Sequence, residues 1–151
     1  MSKLQYYAYP DQGPILREKH RYNQAVRVGD RIECAGQGGW DCFSGEMKTD
    51  LYEEIDQAFS NVDYNLKDAG GQGWSQVFRV NSYHVDISHD ALMHMIENFK
   101  KWMPDHQPIW TCVGVEKLAL PGMRVEIEVS AIDGEGAAEA RKARDAAAGK
   151  K

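Results

Sequence analysis

Long apolar runs are missing from this chain of 151 residues. No stretch approaches the roughly 18 to 20 apolar residues of a membrane-spanning helix, and no membrane partner is expected. Cysteine is scarce as well. Cys34, Cys42 and Cys112 are odd in number and irregularly spaced, and no Cys-x-x-Cys occurs, which speaks against a disulfide framework and against a zinc site. Basic residues are outnumbered, 18 Lys and Arg against 23 Asp and Glu, giving a net charge of −5. No Lys/Arg cluster marks the folded part, so charge gives a nucleic-acid partner no support. Met1-Ser2-Lys3-Leu4-Gln5-Tyr6-Tyr7 lacks the apolar run of a secretory signal, which makes a cytoplasmic location the expectation.

What is present fits one compact domain, with 42% hydrophobic residues to build a single core. Its expected extent is 1–133. Residues 1–21, with Pro10, Gly13 and Pro14 among aromatics and charges, read as an irregular arm packed over the domain by Tyr6, Tyr7 and Tyr9. Two short strands follow at 24–28 and 31–35, and Gly29-Asp30 between them is a hairpin signal. Asp50 opens a helix, with Glu53 in capping-box position and Leu51, Ile55, Phe59, Val62 and Leu66 at helical spacing; Gly70-Gly71 end it. Glu54, Gln57, Asn61 and Lys67 read as its solvated face. A strand at 76–85 leads to a second helix, capped by Ser88 or Asp90 and stopped by Pro104. Strands at 110–116 and 124–132 complete a β-β-α-β-α-β-β order. From Gly134 to Lys151 no large apolar residue occurs, so 134–151 is expected to be a frayed helix or a disordered tail.

Chemistry-bearing motifs are few. Gly36-Gln37-Gly38-Gly39-Trp40-Asp41 lacks the Gly-Lys-Ser/Thr ending of a P-loop and the spacing of a dinucleotide fingerprint. It reads as a flexible strand exit or, functionally, as backbone that approaches a small ligand closely. The histidines form no His-Glu-x-x-His, His106 reads as a surface residue near the 110–116 strand, and no cofactor or metal is expected. In the last strand, Val125, Ile127, Val129 and Ala131 share one face and Glu126, Glu128 and Ser130 the other. By themselves the two carboxylates read as solvated acidic surface.

Gln107-Pro108-Ile109-Trp110-Thr111-Cys112-Val113-Gly114-Val115 carries a further signal. With Arg124-Val125-Glu126-Ile127-Glu128-Val129 after it and Tyr22 to Gln37 before it, it resembles the Rid (YjgF-type) family of reactive-intermediate deaminases. The resemblance implies an α/β, chorismate-mutase-like two-layer sandwich, with a mixed sheet and two helices on one face. It also implies a homotrimer with clefts between subunits. Glu126 then corresponds to the glutamate that orients or activates a water, and Tyr22, Gly36 and Cys112 to residues around the substrate. Trp110 stands where the family has the arginine that grips an imino acid's carboxylate, Ala35 stands in the family's Ser-Gly-Gln, and Ile96 falls where a helix-borne asparagine is expected.

An indole offers one N–H and an apolar face, so the two-pronged carboxylate clamp is lost at that spot. Either Trp110 fills a closed cleft, or it remodels the pocket for an aromatic or apolar ligand with Trp40 as a second wall. The leading function is hydrolysis or tautomerisation of an enamine, imine or related conjugated small molecule by Glu126 and a water, with ordinary imino-acid deamination disfavoured. The alternative is a non-catalytic ligand-binding or chaperone-like trimer. A ribonuclease, third, is disfavoured by charge.

Overall fold

The structure is a computed structural model that describes residues 2–149. Alternation of apolar and polar residues produces six strands: β1 (Gln5–Tyr7), β2 (Ala25–Val28), β3 (Arg31–Cys34), β4 (Val77–His84), β5 (Ile109–Gly114) and β6 (Val125–Ile132). They form one mixed sheet in the order β1-β2-β3-β6-β4-β5. Only the β4–β5 pairing is parallel, as a helical crossover between those strands allows. Gly29, at φ 63°, makes the β2–β3 turn.

Four helices are described: α1 (Gln12–His20), α2 (Leu51–Asp68), α3 (His89–Trp102) and α4 (Gly134–Ala148). Both expected caps are present. The Asp50 side chain accepts from the backbone N–H groups of Tyr52 and Glu53, and Ser88 from that of Ala91. The core forms where Ile55, Phe59, Val62 and Leu66 of α2 meet Ile32, Val80, Val125, Ile127 and Val129 of the sheet, with Met95 of α3.

Three segments differ from the sequence expectation. The arm is not irregular throughout: it contains β1 and α1. Tyr9 is fully buried and Tyr7 packs on the core, but Tyr6 is exposed. The tail is helical, one of the two forms expected, but α4 is capped and docked rather than frayed at its start: Asp133 accepts a hydrogen bond from the Gly136 N–H and Ala137 is buried; Lys150 and Lys151 lie outside the described residues, as does Met1 of the arm. Asp133 also receives the Arg27 Nη2 at 2.6 Å inside the protein, and that ion pair ties α4 to β2. Burial acts to raise the Asp133 carboxyl, but the bonds from Arg27, Gly136 and Gln76 outweigh it and hold it low.

The third difference is on α2. Its supposedly solvated face contains Glu54 and Asn61, both fully buried. Glu54 accepts from Arg124 N at 2.6 Å and Arg124 Nε at 2.7 Å, and more weakly from Val125 N at 3.3 Å. Asn61 donates to the carbonyls of Gly38 and Trp40. Polar helical positions are inside here because each binds a main-chain group that would otherwise be buried unpaired.

Candidate functional site

The glycine-rich segment after β3 is not a flexible exit. Gln37 exchanges both backbone hydrogen bonds with Ile127, at 2.8 and 2.9 Å. Its side-chain amide donates to Gln24 Oε1 at 2.7 Å and accepts from Tyr9 Oη at 3.1 Å. Tyr9 Oη in turn accepts from Trp40 Nε1 at 3.0 Å. This buried network, with Asn61 behind it, fixes the loop.

The glycines serve close approach rather than mobility. A Cβ on Gly36 would fall inside the Glu126 carboxylate, and one on Gly39 would collide with Glu54. At Gly39 the clash includes Glu54 backbone, which only glycine avoids, whereas at Gly36 a side chain would push the Glu126 carboxylate aside.

Glu126 thus emerges on the opposite side of β6 from Val125 and Ile127 and lies against Gly36. It joins Tyr22, Leu16, His20, Trp40 and Met123 around a cavity of about 410 Å³. The walls are mostly apolar, so burial pushes the Glu126 carboxyl above the usual carboxylate range, and the Glu128 charge adds to the effect. Glu128 is held on the same face by Asn81 Nδ2 at 2.8 Å and Tyr83 Oη at 3.1 Å. Burial also raises the Tyr22 phenol, and the nearby Glu126 charge raises it further. An elevated carboxyl in an apolar cavity is the form of carboxylate suited to proton exchange near neutrality.

Trp110 and Cys112 lie elsewhere. They pair in register with Val80 and Ser82, which face the helices, whereas Glu126 pairs with Tyr83. Trp110 packs edge-on against Phe99 of α3, centroids 4.9 Å apart, and its Nε1 donates to Ser82 Oγ at 2.9 Å. It borders a separate, largely apolar cavity of about 460 Å³ with Ile96, Phe99 and Met103. His106 borders that cavity too, half-buried, with its Nε2 2.7 Å from the Val77 carbonyl. Within one chain, therefore, Tyr22, Gly36 and Glu126 come together, while Trp110 and Cys112 face the other side of the sheet. Trp40 walls the Glu126 cavity and not the Trp110 one.

Sequence reasoning missed Leu16 and His20 because it saw no helix at 12–20; α1 is capped by no side chain and has little apolar periodicity. It also missed Met123, which follows the Leu120-Pro121-Gly122 turn. Among the described residues, no group of three or more His, Cys, Asp or Glu side chains could hold a metal ion, and no helix is long and apolar enough to cross a membrane.

A mixed sheet with α2 and α3 packed on one face and a carboxylate-bearing cavity beside Gly36 defines a class of α/β domain with a small-molecule-sized site. Comparison with known proteins identifies which one. The family model described as Endoribonuclease L-PSP matches residues 15–133, and the chain belongs to that family, the Rid or YjgF-type proteins. The RutC family protein YjgH of Escherichia coli K12 is 32% identical over 123 residues, covering 82% of this chain and 91% of the relative. The solved structure of protein YjgH superposes with a TM-score of 0.73 at 28% identity, covering 86% of this chain and 95% of that one. A human relative named 2-iminobutanoate/2-iminopropanoate deaminase is 34% identical over 115 residues, 75% of this chain and 80% of that protein.

Proposed function

We propose that this chain is a small-molecule enzyme that hydrolyses or tautomerises an enamine, imine or related conjugated compound, with Glu126 and a water. The observation that carries the reading is the Glu126 carboxyl, raised by burial, against Gly36 in an apolar cavity with Tyr22. In hydrolysis of a C=N bond, ionised Glu126 takes a proton from a water whose oxygen adds to the carbon. The nitrogen gains a proton, and the resulting carbinolamine collapses to a carbonyl compound and the free amine. His20, on the wall of the same cavity, is a proton donor of the kind the nitrogen needs. The deaminase names of relatives agree with this reaction class.

The cleft is completed by a second copy in a homotrimer, whose β5 brings Trp110 and Cys112 to face Glu126. Supporting this, Trp110 is across the sheet from Glu126 within one chain. In addition, β5 is an edge strand with Ile109 56% and Val113 41% exposed, and unpaired edges of this kind are normally covered. Trp110 in place of a clamp arginine directs the site to aromatic or apolar substrates rather than imino acids.

The test is turnover of imine-releasing and lactone substrates by wild type and Glu126→Gln. A loss of roughly 10²–10⁴ with folding intact is expected for removal of a general base; a fully active variant would retire the catalytic reading. A second reading, a ligand-binding trimer without turnover, is favoured by one observation: the sole indole donor of Trp110 is already engaged by Ser82. Ligand binding unaccompanied by turnover in wild type would select it.

A further inference from the structure

Where α4 crosses the β1–β2 edge, a concavity of about 90 Å³ is walled by Lys3, Arg27, Arg141 and Arg144, with Gly29 and Ala137. Four cationic side chains around one small space stand out on a chain of net charge −5. Three carboxylates are nearby and each is engaged: Asp133 with Arg27 Nη2 at 2.6 Å, Asp30 with Arg141 Nη1 at 3.0 Å, and Asp145 with Arg144 Nη2 at 3.0 Å. Arg27 Nε donates to the Ala69 carbonyl at 2.9 Å. What has no partner is Arg27 Nη1. It is buried without an acceptor, on a side chain only 5% exposed. A guanidinium nitrogen in that state is under-satisfied.

We propose that this concavity binds a phosphate-class oxyanion, either free or as the terminal group of a small phosphomonoester. Arg27 forms its inner wall, and Arg141 and Arg144, each half-exposed, form its rim with Lys3. A tetrahedral oxyanion presents oxygens in several directions and can meet donors from β2 and α4 together, whereas a planar carboxylate meets one fork. The volume takes a headgroup and no ring, so the remainder of a larger ligand stays outside. The interspersed carboxylates break up any extended basic stripe of the sort a polynucleotide follows.

The site is independent of the Glu126 cavity. The family match ends at residue 133 and α4 begins at Gly134, so the rim arginines belong to an extension beyond the matched region. Binding would also have a structural effect. Alanine-rich α4 docks through Ala137, the Asp133 cap and a few polar contacts, including Arg141 to Asp30 and Gln5 to the Ala140 carbonyl. An anion shared by Arg27 and α4 adds a further tie.

The experiment is calorimetric titration of the full-length chain with inorganic phosphate and with glycerol 3-phosphate, in a low-chloride buffer, with acetate as control. Saturable binding of one anion per chain is expected, weakened at least tenfold in an Arg141→Gln/Arg144→Gln double variant and unchanged in Glu126→Gln. Tighter binding of glycerol 3-phosphate than of phosphate assigns the site to a phosphomonoester; equal binding assigns it to the free ion. Lys3→Gln provides a second reading, with a smaller loss, should the double variant fold poorly. Absence of saturable binding, acetate binding as well as phosphate, or variants that bind like wild type would each overturn the proposal. Loss of turnover in Glu126→Gln does not bear on it, so the two readings fail separately.

Discussion

Glu54→Ala tests the contact that holds β6 in position. Glu54 is fully buried in the first turn of α2, where it accepts from Arg124 N, Arg124 Nε and, at 3.3 Å, Val125 N. Those residues open the strand that carries Glu126. Breaking a fully buried ion pair by removing one partner costs about 3–5 kcal/mol, and each buried donor left unpaired costs about 1–3. Arg124 is 36% exposed, so its guanidinium can turn to water and reduce the loss. The Val125 N–H is left buried, although its bond to Glu54 is the long one. These opposing effects leave a net cost of about 3 kcal/mol. For a domain of this size about 1 kcal/mol moves Tm by ~2–4 °C, so a fall of about 6–12 °C is expected. Differential scanning calorimetry of wild type and variant at one fixed protein concentration measures it. A Tm within about 2 °C of wild type would show that Glu54 is not a structural clamp.

Further outcomes are expected at the cavity and in assembly. Because Glu126 must be ionised to act as a base and its carboxyl is raised, turnover should climb with pH, with an acid limb centred above the ordinary 4.5. Glu128→Gln removes the smaller, like-charge cause, so the limb should move down without reaching that value; an unmoved pH–rate profile would break the link. A carboxyl raised on folding favours the folded state below its unfolded pKa and loses that contribution as pH rises through the folded value. Glu126→Gln should therefore be as stable as wild type or more so at neutral pH, read from thermal melts. Gly36→Ala should displace the Glu126 carboxylate and abolish turnover while the fold survives; an active Ala variant would contradict the close approach. Light scattering should give a trimer, and a stable monomer at working concentration would remove the shared cleft.

The strands β2 to β6, the two principal helices and their caps were legible because the strands and helices rest on local periodicity and each cap on a side chain bonding its own turn. β1, in the arm that reads as irregular, was not. Nor were Glu54 and Asn61. Their positions on the polar face of α2 are set by partners 70 and 23 residues away, which no helical period records. For the same reason the segment at Gly36–Gly39 looked flexible. Glycine content reads alike whether a backbone is loose or is pressed against side chains, and only the neighbours, Glu126 and Glu54, distinguish the two. α1 left little trace, with no side-chain cap and a weak apolar stripe, so the wall it lends to the cavity through Leu16 and His20 stayed hidden.

Strand parity supplies the last step. Trp110 opposes Val80 and Glu126 opposes Tyr83, an offset of three residues along the middle strand β4, or about 10 Å at roughly 3.3 Å per residue. An odd offset in a period-two structure places them on opposite faces. Side chains on β5 and β6 of one sheet cannot bridge that separation, since the core of Phe99, Val80 and Val129 lies on the Trp110 side only. A pocket that used both residues would need two sheets, each presenting a different face. The same parity thus keeps the two apart within each chain, where Glu126, Tyr22 and Gly36 share one cavity and Trp110 borders another.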